Sequence, residues 1–152
     1  MPETAVGIYS VTDGDDIGQW VADRACDGRY DPSTSVAIGL LRGERIIAGA
    51  IFNNWNRASV QLHMAIDRMN RTFLAALARY AFIQLGVNVV IAPVSSINDR
   101  SQHALISAGF RLDADIHGAH PDGDLLLYTL TPGRCRFLSQ PFTSRLEPCY
   151  GR

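Results

Sequence analysis

The sequence contains no lysine: all fourteen basic residues are arginines. Codon bias in a GC-rich genome accounts for this most simply, and it leaves the chain without a side-chain amine to offer an acylating reagent. Cysteine is also scarce. Cys26, Cys135 and Cys149 are odd in number and lack C-x-x-C spacing, which speaks against a disulfide framework and against a zinc knuckle, and fits a reducing cytosol. No apolar run approaches the roughly 20 residues that span a bilayer. The first residues show neither the basic nor the apolar region of a signal peptide, so a cytoplasmic protein with no membrane partner is expected. A net charge of -1 with 19% charged residues neither demands nor forbids a nucleic-acid partner.

What is present suffices for one hydrophobic core: 47% of the 152 residues are hydrophobic. Residues 4–11 read as a short strand, and Thr12 with Asp15 three positions later forms a capping-box pattern for a helix from about Gly14 to Cys26. The runs 35–41, 46–54 and 58–66 are β-rich and separated by links of hairpin length, so an antiparallel meander is expected. In the third run Val60, Leu62 and Met64 share one face, and Gln61, His63 and Ala65 the other. Phe73, Leu74, Leu77, Ala81 and Leu85 then mark a helix from near Asn70, stopped by Gly86. The continuous apolar run 87–94 has the pattern of a strand buried on both faces, reached by a β-helix-β crossover. Asn98 opens a short helix through Ser107, and two last strands are expected at about 110–116 and 124–131.

The tail from Pro132 to Arg152 has no clear period and carries four arginines against Glu147, whereas residues 1–31 hold seven acids against two arginines. Two readings follow: an arm packed on its own domain, or one exchanged between subunits of a homodimer through opposite charge.

The order of these elements, with Asn98 preceding Gly109-Phe110 in NDRSQHALISAGF and the segment RTFLAALARYAFIQLGVNVVIAPVSSIN before it, resembles the Gcn5-related N-acetyltransferase (GNAT) superfamily. The features RTFL, YAFIQLG, AGF, HPDGDLLLYTL and CRFL resemble the members often encoded by bacteriophages and prophages, which would place the protein in a host cytoplasm. The resemblance implies an α/β (α+β) fold: a mixed central sheet of about seven strands with flanking helices, and a cleft for coenzyme A between two splayed strands. It implies a GNAT domain over residues 1–131 and an arginine-rich extension over 132–152.

It also implies acetyl-CoA as acyl donor, with no metal expected. The pantetheine arm would pair with strand amides in the cleft, while the pyrophosphate would meet the N-terminus of the following helix. The binding set so implied is Met64, Ala65 and Ile66, then Arg68, Met69, Asn70, Arg71 and Thr72, and Asn98. The family's pyrophosphate loop is glycine-rich, and Arg68 and Asn70 stand in those places here, so the loop keeps its shape with a weaker grip, or charge from Arg68 and Arg71 replaces close backbone approach, or the arginines face solvent.

For the chemistry, the oxyanion donor maps to the backbone N–H of Met64 or Ala65. His63 is the first choice of base, with a structural histidine as the alternative, and Asp67 the second candidate. A strand bulge, frequent in the family at this point, would turn His63 to the other face. Leu105 occupies the place of the family's tyrosine acid. Ser101 and His103, on the same helix, could reach the sulfur or simply form its polar face. His117 and His120 lie in the expected last loop and lack further convincing metal ligands.

The implied activity is acetyl transfer to an amine of a small molecule or modified nucleotide. Two alternatives are a DNA-base modifier of the phage Mom type, for which the charge gives a poor phosphate footprint, and a non-catalytic binding protein of the same fold.

Overall fold

The computed structural model describes residues 9–68 and 70–138. Strand β1 (Tyr9–Asp13) leads into helix α1 (Asp15–Ala25), and β2 (Ser35–Arg42), β3 (Arg45–Asn53) and β4 (Ser59–Ile66) follow as a meander. Helix α2 (Arg71–Arg79), prolonged by a π-helical turn over Tyr80–Gln84, carries the chain to β5 (Val89–Ser95). Then come α3 (Asp99–Ala108), β6 (Arg111–His120) and β7 (Gly123–Leu130), followed by two short 3-10 turns. The seven strands form one sheet in the order β1-β2-β3-β4-β5-β7-β6. Only β4 and β5 run parallel. A parallel pair needs a crossover, and α2 supplies it.

The two faces of the sheet are covered unequally. On one face α2 and α3 seal the larger core, in which Phe73, Leu77 and Leu105 meet Leu62 of β4, Val90 of β5 and Tyr128 of β7. On the other face α1 packs Ile17 and Val21 against Ala37 and Ile51 to make a smaller one. This helix sits close because Gly39 and Gly49 lie opposite one another on β2 and β3. A Cβ on Gly49 would stand 2.5 Å from Val21 Cγ2, and one on Gly39 2.8 Å from an Ile17 methyl.

The sequence pattern and the structure differ in three places. Thr12 lies in β1 and its hydroxyl donates to the Asp13 carbonyl, so there is no capping box; Gly14 is the N-cap, without a side-chain hydrogen bond. The first strand is seen at Tyr9–Asp13, and residues 4–8 of the expected run lie outside the described residues. β5 is not buried on both faces: Val90, Ala92 and Val94 are buried while Val89, Ile91 and Pro93 are half-buried, because no helix among the described residues covers that side of it. His117 and His120 belong to β6 rather than to a loop, since β6 and β7 close in a tight hairpin at His120–Gly123.

Three helix ends follow their signals. The Asn70 side chain accepts a 2.9 Å hydrogen bond from the Phe73 N–H at the start of α2, and Asn98 accepts a 3.0 Å bond from Ser101 N–H at the start of α3. Gly109, with φ 106°, ends α3 in the left-handed conformation that glycine adopts most readily. Beyond β7, Cys135 and Phe137 are buried in the larger core; residues 139–152 of the arginine-rich tail are outside the described residues. No helix among the described residues is long and apolar enough to cross a membrane.

Gly49→Ala should lower stability by about 1–3 kcal/mol, the usual range for forcing a methyl into a packed core. Chemical denaturation checks this; an unchanged midpoint would show that α1 can lift off the sheet without loss.

Candidate active site

β4 and β5 pair over three rungs only, Ser59 with Val89, Val60 with Val90 and Gln61 with Ile91. Past Gln61, β4 stays on β3 as far as Ile66 and β5 stays on β7 as far as Ser95, so the two neighbours part. Pro93 sits in the diverging stretch and has no N–H to offer a neighbour. The gap is a cleft of about 890 Å³. Its walls are Leu62–Ile66 and Ala92–Ser95, and its rim is formed by the end of α1, the start of α3 and the β6–β7 turn.

The register between β3 and β4 is unbroken from Asn53–Gln61 to Ala48–Ile66, so the bulge frequent in GNAT proteins is missing here. Alternation therefore holds. His63 pairs with Ile51 on the α1 face, and Leu62 and Met64 belong to the α2 face. The backbone alternates as well. The Asp67 N–H bonds to Ile47 of β3 at 2.9 Å, and Arg100 reaches across from α3 to place Nη2 3.5 Å from the Ile66 carbonyl. Two residues apart, strand N–H groups point the same way. Ala65 accordingly faces β3 with Asp67, whereas the N–H groups of Met64 and Ile66, beyond the last rung with β5, face the cleft.

His63 is half-buried and lines the cleft, and burial pushes its pKa below the ordinary 6.5, so it is neutral at neutral pH. Met64, Ala65, Ile66, Asn98 and Ser101 also line it. Asn98 uses its side-chain oxygen to cap α3. Arg68, Arg71 and Thr72 are exposed and lie outside the cleft lining, at the end of β4 and the first turn of α2; Met69 is outside the described residues. Asn70 is half-buried and holds that first turn. On α3, Ser101, Ala104 and Leu105 share the cleft side, which turns His103 away to solvent, so the structure brings Ser101 but not His103 to the site. Asp67 is exposed and does not line the cleft.

Residues that the pattern did not single out also line the cleft: Arg24 and Cys26 at the end of α1, Arg100 on α3, and Asp122 in the β6–β7 turn, beside His120. The signal for Arg100 was its place two residues after Asn98; α1 gave none. Burial, and then the nearby Asp27 charge, raise the Cys26 thiol, which leaves it a poor nucleophile at neutral pH. His117 pairs with Asp124 at 3.2 Å, away from the cleft lining. With Asp115 they bring three potential cation ligands within 4.8 Å of one another, mostly exposed.

This sheet, with its helices and one splayed strand pair, has the acetyltransferase fold. No family model and no curated protein matches the sequence. Among solved structures, a variant of the spermidine N-acetyltransferase SpeG from Vibrio cholerae superposes with a TM-score of 0.67 at 10% identity, covering 90% of this chain and 99% of that one. The acetyltransferase yncA from Salmonella typhimurium, solved with its cofactor acetyl-CoA, gives 0.61 at 15% identity, covering 82% of this chain and 94% of that one. A third, a probable acetyltransferase, gives 0.56 at 19% identity; this chain covers 62% of it and is itself covered over 66%.

Because burial lowers the His63 pKa, the unfolded chain binds more protons there than the folded one. Stability from this residue is full above the ordinary value of 6.5 and is lost as pH falls from there toward the lower folded value. His63→Gln should flatten the dependence of melting temperature on pH between about 7 and 5. An identical slope in the two proteins would show that His63 is freely solvated.

Proposed function

We propose that the protein is an acetyl-CoA-dependent N-acetyltransferase that acts on an amine carried by a small molecule. The observation that carries this reading is the early parting of β4 and β5, which opens an extended slot with a neutral histidine on its wall. The slot suits a narrow chain that pairs with a strand edge. The cleft-facing amides of Met64 and Ile66 would take the pantetheine arm as an added strand. Arg68 and Arg71, beyond the end of the slot, would meet the pyrophosphate together with the unpaired first N–H groups of α2.

The amine nitrogen attacks the thioester carbonyl, and the Met64 N–H takes the developing oxyanion. His63 accepts the proton that the nitrogen loses, the C–S bond breaks, and the amide forms as coenzyme A leaves as a thiolate. The Ser101 hydroxyl, on the opposite rim, lies on the side from which a proton can reach the sulfur. Leu105 cannot serve there, since it has no ionisable group.

Acetyl-CoA should raise the melting temperature, because a ligand that binds only the native state must stabilise it. His63→Ala should then lower kcat roughly 10²-fold or more and abolish the acidic limb of the rate profile while leaving that thermal shift in place. No shift at millimolar acetyl-CoA would remove the reading; an active variant with its acidic limb intact would remove His63 as base.

Replacing Arg68 and Arg71 together by alanine should raise the KM for acetyl-CoA more than it lowers kcat, since contacts remote from the reacting carbonyl act on binding. Steady-state kinetics decide it; an unchanged KM would show that both arginines face water only.

A further inference from the structure

We infer that the amine acceptor also carries an anionic group, a carboxylate or a phosphate, and that Arg24 receives it. This rests on the proposed acetyl transfer and names the class of its second substrate.

Arg24 stands in the last turn of α1, at the rim of the cleft on the same face of the sheet as His63. Its guanidinium lies 3.9 Å above the Trp20 ring, and Nη1 donates a 3.1 Å hydrogen bond to the Trp20 carbonyl. Trp20 is itself packed against the smaller core. An arginine is ordinarily a long, freely rotating side chain. Here stacking and one hydrogen bond hold the plane of the fork, while no carboxylate among the described residues comes within salt-bridge distance of it. The nearby acids are engaged elsewhere: Asp23 accepts from Gln19, and Asp27 pairs with Arg29 at 3.4 Å. A held guanidinium with free N–H groups suits the two oxygens of a carboxylate or phosphate.

The charge of the whole cleft points the same way. Arg24 and Arg100 line it against a single carboxylate, Asp122, with His63 neutral. The Asp122 carboxylate lies beside His120 in the turn, 4.0 Å from its Nδ1. A polycation such as spermidine would meet an excess of like charge at this rim. An amine that bears an acid would meet Arg24 at one end and, at the other, a neutral imidazole ready to take its proton.

The test is acetyl-CoA-dependent release of coenzyme A with matched acceptors: phenylalanine against phenethylamine, O-phosphoethanolamine against ethanolamine, and spermidine alone. The acidic member of at least one pair should be acetylated with the higher kcat/KM. Arg24→Gln should raise the KM for that acceptor about 10- to 100-fold, on the scale of one charge-assisted contact, and leave its uncharged counterpart unaffected. The acetyl-CoA thermal shift should be the same in wild type, Arg24→Gln and the exposed control Arg45→Gln. If the carboxylate pair discriminates, the acceptor is of amino-acid type; if the phosphate pair does, it is of phosphate-ester type. Preference for spermidine or for the uncharged amines would overturn the inference, as would an unchanged KM in Arg24→Gln. A normal thermal shift with no product from any acidic acceptor also counts against it. Absence of the thermal shift marks the different failure, that of acyl transfer itself.

Discussion

The candidate site depends on how briefly β4 and β5 hold together. Three rungs of parallel pairing fix the bottom of the sheet, and above them each strand is claimed by its antiparallel neighbour, β3 on one side and β7 on the other. Sheet twist then separates two strands that are no longer tied. In many β-sheets such a rift would be closed by side chains. Here it stays open, because α1 covers only β2, β3 and β4 on one face while α2 and α3 are joined to the other. Splaying also exposes strand amides that an ordinary interior would have to satisfy, so the structure keeps a cost that a bound chain can recover.

The two glycines under α1 matter for the same reason. By letting the helix sit against β2 and β3, they set how far its last turn reaches over the sheet, and hence where Arg24 and Cys26 stand relative to β4. A thicker contact would raise that turn above the cleft. The chain from Cys26 to Thr34 then doubles back along α1, tied by the bond from Gln19 to the Gly28 carbonyl and by Tyr30 beneath Gly18. Among the described residues, no helix lies over β5, β7 and β6 on this face.

Much of this was readable in advance, and the limits had physical causes. Period and caps located the meander, α2 with its Asn70 start, and α3 between Asn98 and Gly109, because those signals are local. The side of β4 that His63 occupies was readable only on condition that no bulge intervened, and the unbroken register met that condition. Thr12 misled because a hydroxyl before an acidic pair looks like a cap whether or not the strand has ended. Run 87–94 was apolar throughout, yet only the alternate residues on the helix side are buried, since sequence does not tell which face lacks a cover. Arg24 was invisible for a different reason. Its position depends on helix packing across the sheet, and an arginine late in a helix is ordinarily a solvated one.

The outer strand β6 carries a consequence of its own. It lies at the margin of the sheet, is exposed along most of its length, and shows Leu112 at 48% and Ile116 at 43% accessibility. Such a margin invites a neighbouring molecule to add itself as an eighth strand. Its register against β7 breaks twice, between Leu112 and Ala114 and between Ile116 and His120, and acids at 113 and 115 interrupt the apolar residues. A kinked, charged border makes a poor template. The protein thus has two places where backbone could capture an extended chain, and the breaks in β6 blunt the one that would join molecules into aggregates while the interior rift remains receptive.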